Sequence, residues 1–398
     1  MKPIRTVGLR ENLGQFLLLM LINAFVGGMV GLERTVVPLL GTQVFHLVLN
    51  SAITSFIVSF GITKALVNLL SGALADRFGR KKILVLGWLF GLPVPFLLIF
   101  APSWQWIAFA NVLLGINQGL AWSMAVVMKI DLVGPKQRGL AVGLNEFAGY
   151  LAVGVTALVT GYLASVYGLR PVPFYLGIGY AILGLALSVL FVRDTSDLVT
   201  KGATTTVPFR EIFSRVSWKD RRLLGASQAG LVNNLNDGMS WGLFPLYFAA
   251  GGLDVAHIGV LKFVYPAVWG LAQIATGPLS DIIARRLLIG SGMVLQGIAL
   301  GMTLLGTSFS LWLVATVLLG LGTALVYPAL IAVVSDASEP DWRARALGVY
   351  RFWRDMGYAV GALLSSIIAD LLGFAPAIGA VATLTVFSGL LALRLMRK

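Results

Sequence analysis

The sequence predicts an all-α membrane protein with about twelve transmembrane helices in two pseudo-symmetric six-helix bundles. Three observations lead to this fold class. Hydrophobic residues make up 58% of the 398 residues and charged residues only 12%, whereas about a quarter of an ordinary soluble domain is charged. The hydrophobic residues are collected into runs of about 20 residues or more, the length that crosses a bilayer. Finally, sequence features of the first half recur in the second half.

The individual helices are predicted from the hydrophobic runs. Each run has to cover roughly 30 Å of hydrocarbon, which takes about 20 apolar residues in an α-helix. The first run is too long for the core of a cleaved signal peptide, so we expect it to be the first transmembrane helix. The twelve runs lie at approximately residues 14–41, 48–73, 83–101, 104–131, 139–166, 172–193, 223–249, 256–279, 287–307, 310–334, 345–371 and 374–395.

A single long polar segment, DTSDLVTKGATTTVPFREIFSRVSWKDRR, divides the hydrophobic runs into two groups of six. We interpret this segment as the connection between two domains. The predicted domains are an N-terminal six-helix bundle over residues 1–193, a cytoplasmic linker over residues 194–222 and a C-terminal six-helix bundle over residues 223–398.

The two halves share sequence at a constant offset of 205 residues. The segment VLLGINQGLAW at 112–122 resembles VLLGLGTALVY at 317–327, and the same offset pairs Asp131 with Asp336. Parallel six-helix repeats are typical of transporters that bind their substrate between the halves, near the membrane midplane. The repeat therefore predicts a substrate site at the centre of the molecule.

The basic residues indicate how the helices cross the membrane. The net charge is +13, and 23 of the 30 Lys and Arg residues fall in the terminal segments, the linker and alternate loops, while the opposite loops hold only Arg170. Because basic loops stay in the cytoplasm, both termini are predicted to be cytoplasmic. This distribution explains the positive charge without a nucleic-acid partner. The chain has no cysteine, and its two histidines, His46 and His257, are far apart in sequence, so no metal site is expected.

The loop after the second helix carries a recognisable motif. It reads GALADRFGRKK, from Gly72 to Lys82, and a degenerate copy, GPLSDIIARR, follows the eighth helix. The motif resembles the signature loop of the major facilitator superfamily in sequence and position, and the resemblance extends over the whole chain. It implies two six-helix bundles and transport by alternating access. The most similar subgroup is the drug:proton antiporters, although Gly115 stands where those proteins usually carry an arginine and the fifth helix lacks their Gly-Pro pair.

The resemblance implies a gate between the two halves on the cytoplasmic side. In this interpretation Gly72 allows helix 2 to approach a neighbouring helix closely, and Asp76 faces the positive N-terminal end of helix 11. Arg80 pairs with Asp131 at the end of helix 4. The alternative is that these charges only anchor the loops in the cytoplasm. The residues predicted for the gate are Gly72, Asp76, Arg77, Gly79, Arg80, Asp131, Arg138, Asp281, Asp336, Arg343 and Arg351.

Ionisable side chains inside the predicted helices are candidates for function, because each costs about 2.5–3.5 kcal/mol to insert into a membrane. Helix 1 reads GLERTVVPLLG, which resembles the acid-plus-proline pattern of some multidrug exporters, and this resemblance implies that Glu33 carries the proton. The alternative is a fixed salt bridge between Glu33 and Lys64. The adjacent Arg34 is not expected to pair with Glu33, since neighbouring residues point about 100° apart on a helix.

Helices 11 and 7 carry further polar clusters. On helix 11, Arg351, Arg354 and Asp355 share one face, and two arginines suit a carboxylate or phosphate. Alternatively, Arg351 joins a network with Glu146 of helix 5. The residues predicted to bind substrate or proton are Glu33, Arg34, Lys64, Asn117, Gln118, Glu146, Asn233, Asn236, Asp237, Tyr327, Arg354 and Asp355.

These features predict a secondary active transporter that works by alternating access and exports a small organic substrate in exchange for protons. The alternative is a uniporter or exchanger of organic anions with an Arg- and Lys-lined site. The sequence shows no nucleophile, metal or phosphate-loop motif of an enzyme and no soluble output domain of a receptor. No cofactor is expected, and the proton gradient is the expected energy source. We expect a monomer in a bacterial-type inner membrane whose partners are the lipid bilayer and a small-molecule substrate.

Overall fold

The computed structural model describes residues 7–134, 137–198, 207–339 and 341–397. These residues form helices joined by connecting segments, and no strand occurs among them. The long helical segments within those ranges, numbered in chain order, are α1 Leu13–Gln43, α2 Asn50–Phe78, α3 Arg80–Phe100, α4 Trp104–Val133, α5 Arg138–Tyr167, α6 Val172–Leu190, α7 Arg221–Ala250, α8 Val255–Ile282, α9 Arg285–Met302, α10 Phe309–Ala337, α11 Arg343–Leu372 and α12 Phe374–Leu395. Their order follows the predicted helices.

Ten of these described segments are long and apolar enough to cross a membrane, and α7 and α9 complete the twelve. Helix α7 has 30 residues, but Asn233, Asn234, Asn236 and Asp237 lower the hydropathy of its middle. All four side chains are buried, because α7 packs against α11 and α12. The polar face of α7 therefore points into the protein, as the cost of exposing it to lipid requires.

The two halves of the molecule meet along two antiparallel helix pairs, α2 with α11 and α5 with α8. One face of the molecule, where α2 begins and α11 ends, is closed, and we call it the distal face. There a Cβ atom on Gly161 of α5 would lie 2.9 Å from the Cα of Gly259 of α8, so this approach requires glycine. The opposite face, at which α1 begins and α12 ends, is called the terminal face.

The two halves are separated towards the terminal face. A Cβ atom added at Gly72 of α2 or at Gly277 of α8 would have no neighbour within 4 Å. The same holds for Gly143 of α5 and Gly348 of α11. The close approach expected at Gly72 is therefore absent from this conformation, because the partner half has moved away from that end of α2. The molecule is closed at its distal face and open at its terminal face.

Two helices depart from regular α-geometry for identifiable reasons. Helix α1 is interrupted at Thr35, because Pro38 has no N–H for the carbonyl of Arg34 and its ring collides with that carbonyl. The Thr35 hydroxyl donates instead to the Ala157 carbonyl oxygen of α5 at 2.9 Å. Helix α4 contains a π-helical turn over Gln118–Trp122. Such turns are frequent at functional sites, and this one lies in the middle of the molecule.

The outer surface of the helices is apolar. Large hydrophobic side chains such as Leu70 on α2, Ile274 on α8 and Phe387 on α12 are exposed on the surface of the chain. Contiguous apolar surface of this kind is disfavoured in water and is the normal solvent-facing surface in a bilayer. The lipid bilayer is therefore the environment in which this arrangement is stable.

The described parts of the linker lie against the terminal face. Phe209–Ser214 forms a short helix, and Trp353 of α11 donates a hydrogen bond to Ser217 at 2.8 Å. At the other end, partial burial opposes ionisation of Asp194. Hydrogen bonds from Ser196 and from the Lys81 backbone N–H (3.1 Å) outweigh this effect and hold the pKa of the Asp194 carboxyl below its ordinary value. Residues 199–206 lie outside the described ranges, so the domain boundaries remain predictions.

Candidate functional site

A polar cavity lies between the two halves at mid-height, bounded by α2, α4, α5, α10 and α11. It brings together five of the predicted substrate- or proton-binding residues, together with Arg351, which was assigned to the gate. We call this space the central cavity. Its lining residues are Lys64, Asn68, Gln118, Trp122, Ser123, Glu146, Tyr150, Tyr327, Arg351 and Arg354.

The carboxylate of Glu146 joins the two halves across this cavity. One oxygen accepts hydrogen bonds from Trp122 Nε1 at 2.9 Å and from Asn145 Nδ2 at 3.0 Å, and the other accepts one from the Tyr327 hydroxyl at 3.0 Å. Trp122 of α4 and Tyr327 of α10 are separated by the repeat offset of 205 residues. Two residues at equivalent positions of the repeat therefore donate to the same carboxylate, and both of its oxygens accept hydrogen bonds from neutral groups.

A second carboxylate, Asp355 of α11, is also fully engaged. The Nε and Nη2 atoms of the adjacent Arg354 donate to one Asp355 oxygen at 2.8 and 2.7 Å. Asn68 of α2 donates to the other oxygen. Arg354 Nη1 donates to the Tyr327 hydroxyl at 2.6 Å. This network connects α2, α10 and α11 at the floor of the cavity, and its charges neutralise each other.

Two cavity cations have no such partner. Among the described residues, neither Lys64 nor Arg351 forms a hydrogen bond or an ion pair. The Lys64 side chain is only 8% exposed, and its Nζ lies 5.0 Å from the ring centre of Tyr358 and 5.7 Å from that of Trp122, where the aromatic faces attract a cation. Neither of the expected alternatives, a salt bridge from Lys64 to Glu33 or a network joining Arg351 to Glu146, is present.

A group of buried charges lies further towards the distal face. Asn111 Nδ2 donates to one oxygen of Glu33 at 3.1 Å, and the other oxygen lies 4.0 Å from Arg34 Nη1 without a hydrogen-bond partner. The expectation that Glu33 and Arg34 would stay apart is therefore wrong, because both side chains are long enough to bring their charged groups to 4.0 Å although they leave the helix in different directions. The Arg34 guanidinium also lies 4.2 Å from the ring centre of Trp241, on α7 of the other half.

The C-terminal half contributes two further charges to this group. The hydroxyl of Tyr265 donates to one oxygen of Asp237, and the other Asp237 oxygen has no hydrogen-bond partner. Lys262 of α8 donates to the backbone oxygen of Ser240. Asp237 interacts electrostatically with both Arg34 and Lys262. We call the four buried charges Glu33, Arg34, Asp237 and Lys262 the distal cluster.

Several predicted site residues instead hold helices together within one half. Gln296 of α9 donates to Asn233 at 2.9 Å and accepts from Asn236 at 2.8 Å. Asn117 donates to the Gly87 carbonyl oxygen of α3 at 3.0 Å. Gln118 donates to the Val26 carbonyl oxygen of α1 at 2.8 Å, while its own side-chain oxygen has no partner. Of these four, only Gln118 lines the central cavity.

Three of the predicted gate residues, Arg80, Asp131 and Asp336, take part in two equivalent ion pairs at the terminal face. Arg80 Nε lies 3.5 Å from an Asp131 oxygen, as expected from the sequence. The corresponding pair one repeat later joins Arg285 to Asp336. Both pairs lie within one half.

The described side chains of the other gate residues predicted at this face form no hydrogen bond or ion pair between the halves in this conformation. The Asp76 side chain is 75% exposed and pairs with Arg80, at the start of α3, at 3.2 Å. Arg343 donates to the Ser338 carbonyl oxygen at 3.2 Å, and Arg77 lies over the ring of Phe78. The expected approach of Asp76 to α11 is therefore not made in this conformation. Gly79, between α2 and α3, has a φ of 94°, which favours glycine. The side chains of Arg138 and Asp281 lie outside the described part of the chain.

The sequence model of the Major Facilitator Superfamily matches residues 14–233 and 226–398 of this chain. The chain belongs to the major facilitator superfamily. The resemblance found in the loop from Gly72 to Lys82 is thereby confirmed, and so is the all-α fold. The protein is a multi-pass membrane transporter of this superfamily, and its partners are the lipid bilayer and a small-molecule substrate.

Relatives in the superfamily are named as transporters. The chain is 26% identical to the multidrug resistance protein MdtG of Enterobacter lignolyticus over 310 residues, which cover 76% of this chain and 72% of that protein. It is 26% identical to a probable 4-methylmuconolactone transporter of Cupriavidus pinatubonensis over 330 residues, 77% of this chain and 74% of that protein. Among solved structures, a nucleoside transporter superposes with a TM-score of 0.79 at 12% identity, covering 96% of this chain and all of that one. A POT family transporter gives 0.77 at 11% identity, covering 96% of each chain. These structural matches establish the fold.

The sequence predictions did not include several residues that line the central cavity or contact Glu33. Asn68, Ser123 and Tyr150 line the cavity, but they resemble ordinary packing residues in the sequence. Asn111, which bonds to Glu33, carries no distinguishing pattern either. Lys129 is different, because a lysine inside a predicted transmembrane helix is itself a signal. Its side chain is completely buried, and its Nζ donates to the Leu19 carbonyl oxygen at 3.3 Å.

Proposed function

We propose that this protein exports a small organic substrate by alternating access and takes up protons in exchange. The observation that carries the proposal is the carboxyl group of Glu33. It is completely buried at membrane depth, and one of its oxygens has no hydrogen-bond partner. A proton can therefore occupy that oxygen without displacing a donor. An ionisable group placed in this way inside a transporter is a candidate proton carrier.

The orientation in the membrane is inferred from the distribution of basic residues. The two halves are separated towards the terminal face, where most of the Lys and Arg residues fall, and basic loops stay in the cytoplasm. We therefore propose that both termini are cytoplasmic and that the substrate enters from the cytoplasm. The relatives named as multidrug resistance proteins are consistent with export. We propose a bacterial-type inner membrane and a monomer as the functional unit.

A second candidate function is the exchange of organic anions without proton coupling. It is favoured by Lys64 and Arg351, the two cavity cations that form no hydrogen bond or ion pair among the described residues. The two functions differ in whether a pH gradient drives transport.

Transport by purified protein in proteoliposomes tests the proposal. Counterflow and net transport are measured for a panel of cationic drugs, sugars and organic acids, with and without an imposed pH gradient. We expect the wild type to accumulate its substrate when the gradient is present, and Glu33→Gln to retain counterflow but lose gradient-driven accumulation. The matched control is Glu211→Gln, which neutralises a partly exposed carboxylate of the linker, outside the membrane-spanning helices, and should transport as the wild type does. If net transport by the wild type ignores the pH gradient, or if Glu33→Gln still responds to it, proton coupling through Glu33 is refuted.

A further inference from the structure

The charges around the central cavity do not balance. Five charged side chains are present, the cations Lys64, Arg351 and Arg354 and the anions Glu146 and Asp355. Three positive charges therefore face two negative ones. A buried charge is stable only when it is paired or hydrogen-bonded. The charged groups whose hydrogen-bonding capacity is unused are therefore the ones that can bind a ligand.

Neither anion is available to a ligand cation. Glu146 accepts three hydrogen bonds, from Trp122, Asn145 and Tyr327. Asp355 accepts two from Arg354 and a further one from Asn68. A cationic substrate would have to displace these donors from the carboxylates, and each displaced buried donor would then be unsatisfied.

The cations, in contrast, include two that form no hydrogen bond or ion pair in the described part of the chain, although Asp355 and Glu146 attract Lys64 from a distance. Lys64 is nine-tenths buried, and its ammonium group is surrounded by the rings of Phe60, Trp122 and Tyr358 at 5.0–5.7 Å from their centres. These rings lower the cost of burying the charge, but they accept no full hydrogen bond. Arg351 lies at the cavity wall with its forked donors unused. Both side chains are therefore suited to bind an anion that enters the cavity.

The walls beside these cations are aromatic. Trp122 and Tyr150 of the N-terminal half lie 5.3 Å apart between ring centres, and Tyr150 lies 3.6 Å from Trp269 and 6.4 Å from Tyr327 of the other half. These rings already pack on one another, and the free volume beside them is about 10 Å³ in this conformation. A planar, unsaturated group would therefore pack against the cavity side of this aromatic cluster as the rings move to admit it, and aromatic stacking would add to the burial of apolar area.

We propose that the central cavity binds its substrate as an organic anion, with the anionic group held by Lys64 and Arg351 and a planar apolar body held by Trp122, Tyr150 and Tyr327. This rests on the proposed function, since it names the substrate class of the same cavity. The ion pairs form only when the substrate is bound, so the empty cavity has an excess of one positive charge and a bound monoanion makes it neutral. Neutralisation of this kind removes repulsion between the two halves as they close around the substrate.

Binding to the purified full-length protein in detergent tests this substrate class without any gradient. The probes are 1-naphthoate, 1-naphthamide and 1-naphthylmethylammonium, which share one ring system and differ in charge, and their affinities are measured by titration calorimetry. We expect 1-naphthoate to bind at least about tenfold more tightly than the amide, and the ammonium to bind more weakly than both. Equal affinities for the three probes, or the absence of binding by 1-naphthoate, would overturn the proposal from the wild type alone.

Variants locate the anion site. Lys64→Gln and Arg351→Gln should each weaken 1-naphthoate binding by about tenfold and leave binding of the amide unchanged. Lys64→Arg, which keeps the charge, should retain the preference for the acid. The matched control is Arg345→Gln, an exposed arginine on the same helix as Arg351, which should bind all three probes as the wild type does. If Lys64→Gln and Arg345→Gln have the same preference for the acid, the assignment of Lys64 is wrong.

The outcomes separate this inference from the proposed function. Loss of proton coupling in proteoliposomes with an intact preference for 1-naphthoate refutes the proton mechanism and leaves the substrate class standing. The opposite combination, gradient-driven transport with no preference for the acid, refutes the substrate class alone.

Discussion

Arg34 and Glu33 are a buried pair of opposite charges whose polar atoms are incompletely hydrogen-bonded. Both side chains are at most 1% exposed, yet the three guanidinium nitrogens have no hydrogen-bond partner among the described residues. The guanidinium is stabilised by the Glu33 oxygen at 4.0 Å and by the face of Trp241 at 4.2 Å. Removing one member of such a pair leaves an uncompensated charge, whereas removing both need not destabilise the protein.

At the scale of the residue we predict that Arg34→Met lowers the free energy of unfolding by about 3 kcal/mol, because Glu33 is left as a buried charge without its counter-ion. The double variant Glu33→Gln, Arg34→Met should recover part of this loss, because it removes the unpaired carboxylate of Glu33 but leaves Asp237 without the attraction of Arg34. The measurement is thermal denaturation in detergent micelles. As a control, Arg215→Met removes a partly exposed ion pair with Glu211 and should cost less than about 1 kcal/mol. A double variant as unstable as Arg34→Met would show that the loss comes from packing rather than charge.

Among the helices, α2 has an unusual N-terminus. The residue before it, Leu49, provides no side-chain cap, although the first N–H groups of a helix have no partner within the helix. Asp370 at the end of α11 supplies the cap from the other half, with its oxygens 2.6 Å from Asn50 N and 3.0 Å from Ser51 N. Opening the distal face therefore removes the cap of α2, and the capping energy favours the conformation that is closed there.

At the scale of the element we predict that Asp370→Ala shifts the population towards a conformation that is open at the distal face, by a free energy of about 1 kcal/mol. The distance between spin labels at Val48→Cys and Ala375→Cys reports this opening, and the natural chain has no cysteine that would also be labelled. Asp254→Ala is the matched control. Asp254 caps α8 at the same face, accepting from His257 N at 2.8 Å, but it makes this bond within its own half.

The two aspartate variants separate a cap between halves from an ordinary helix cap. Asp254→Ala should lower stability and leave the label distance unchanged. Identical distance distributions for both variants would mean that the Asp370 cap does not hold the distal face closed.

Across the whole molecule, two kinds of contact are distinguished at the terminal face. Some lie inside one half and are kept when the halves move relative to each other. Others would join the two halves and can form only when this face closes. The ion pairs Arg80–Asp131 and Arg285–Asp336 lie within one half each, so a rigid-body movement of the halves leaves them intact. The Asp76 carboxylate is mostly exposed. It is free to meet the N-terminal end of α11 when the terminal face closes, where the helix dipole would stabilise it.

At this scale we predict that Asp76→Asn disfavours the conformation closed at the terminal face by about 0.3–1 kcal/mol and has little effect on thermal stability. Labels at Phe78→Cys and Ala344→Cys, at the ends of α2 and α11, report the separation of the halves there. Asp336→Asn is the control, since it breaks an ion pair inside one half and should change stability without changing the population. If Asp76→Asn leaves the distance distribution as in wild type, these charges serve only to anchor the loops.

The sequence by itself determined the number and order of the helices, the repeat, the family and which charges lie at membrane depth. These follow from local rules, because a span needs about 20 apolar residues whatever its neighbours are and a charge inside such a span is visible wherever it occurs. The motif from Gly72 to Lys82 placed the chain in its family for the same reason, since its residues are contiguous.

Only the tertiary structure decided which of those charges are paired and which face of the molecule is open. Helical periodicity places Glu33, Asn233 and Asp355 on a face, but the partner of each depends on a helix distant in sequence and on the side-chain rotamer. Asn233 consequently bonds to Gln296 within its own half, while Lys64 forms no hydrogen bond or ion pair with any described residue. Which face is open depends on a small free-energy difference between the two conformations, to which many contacts between the halves contribute. No local sequence pattern predicts the total of these contributions.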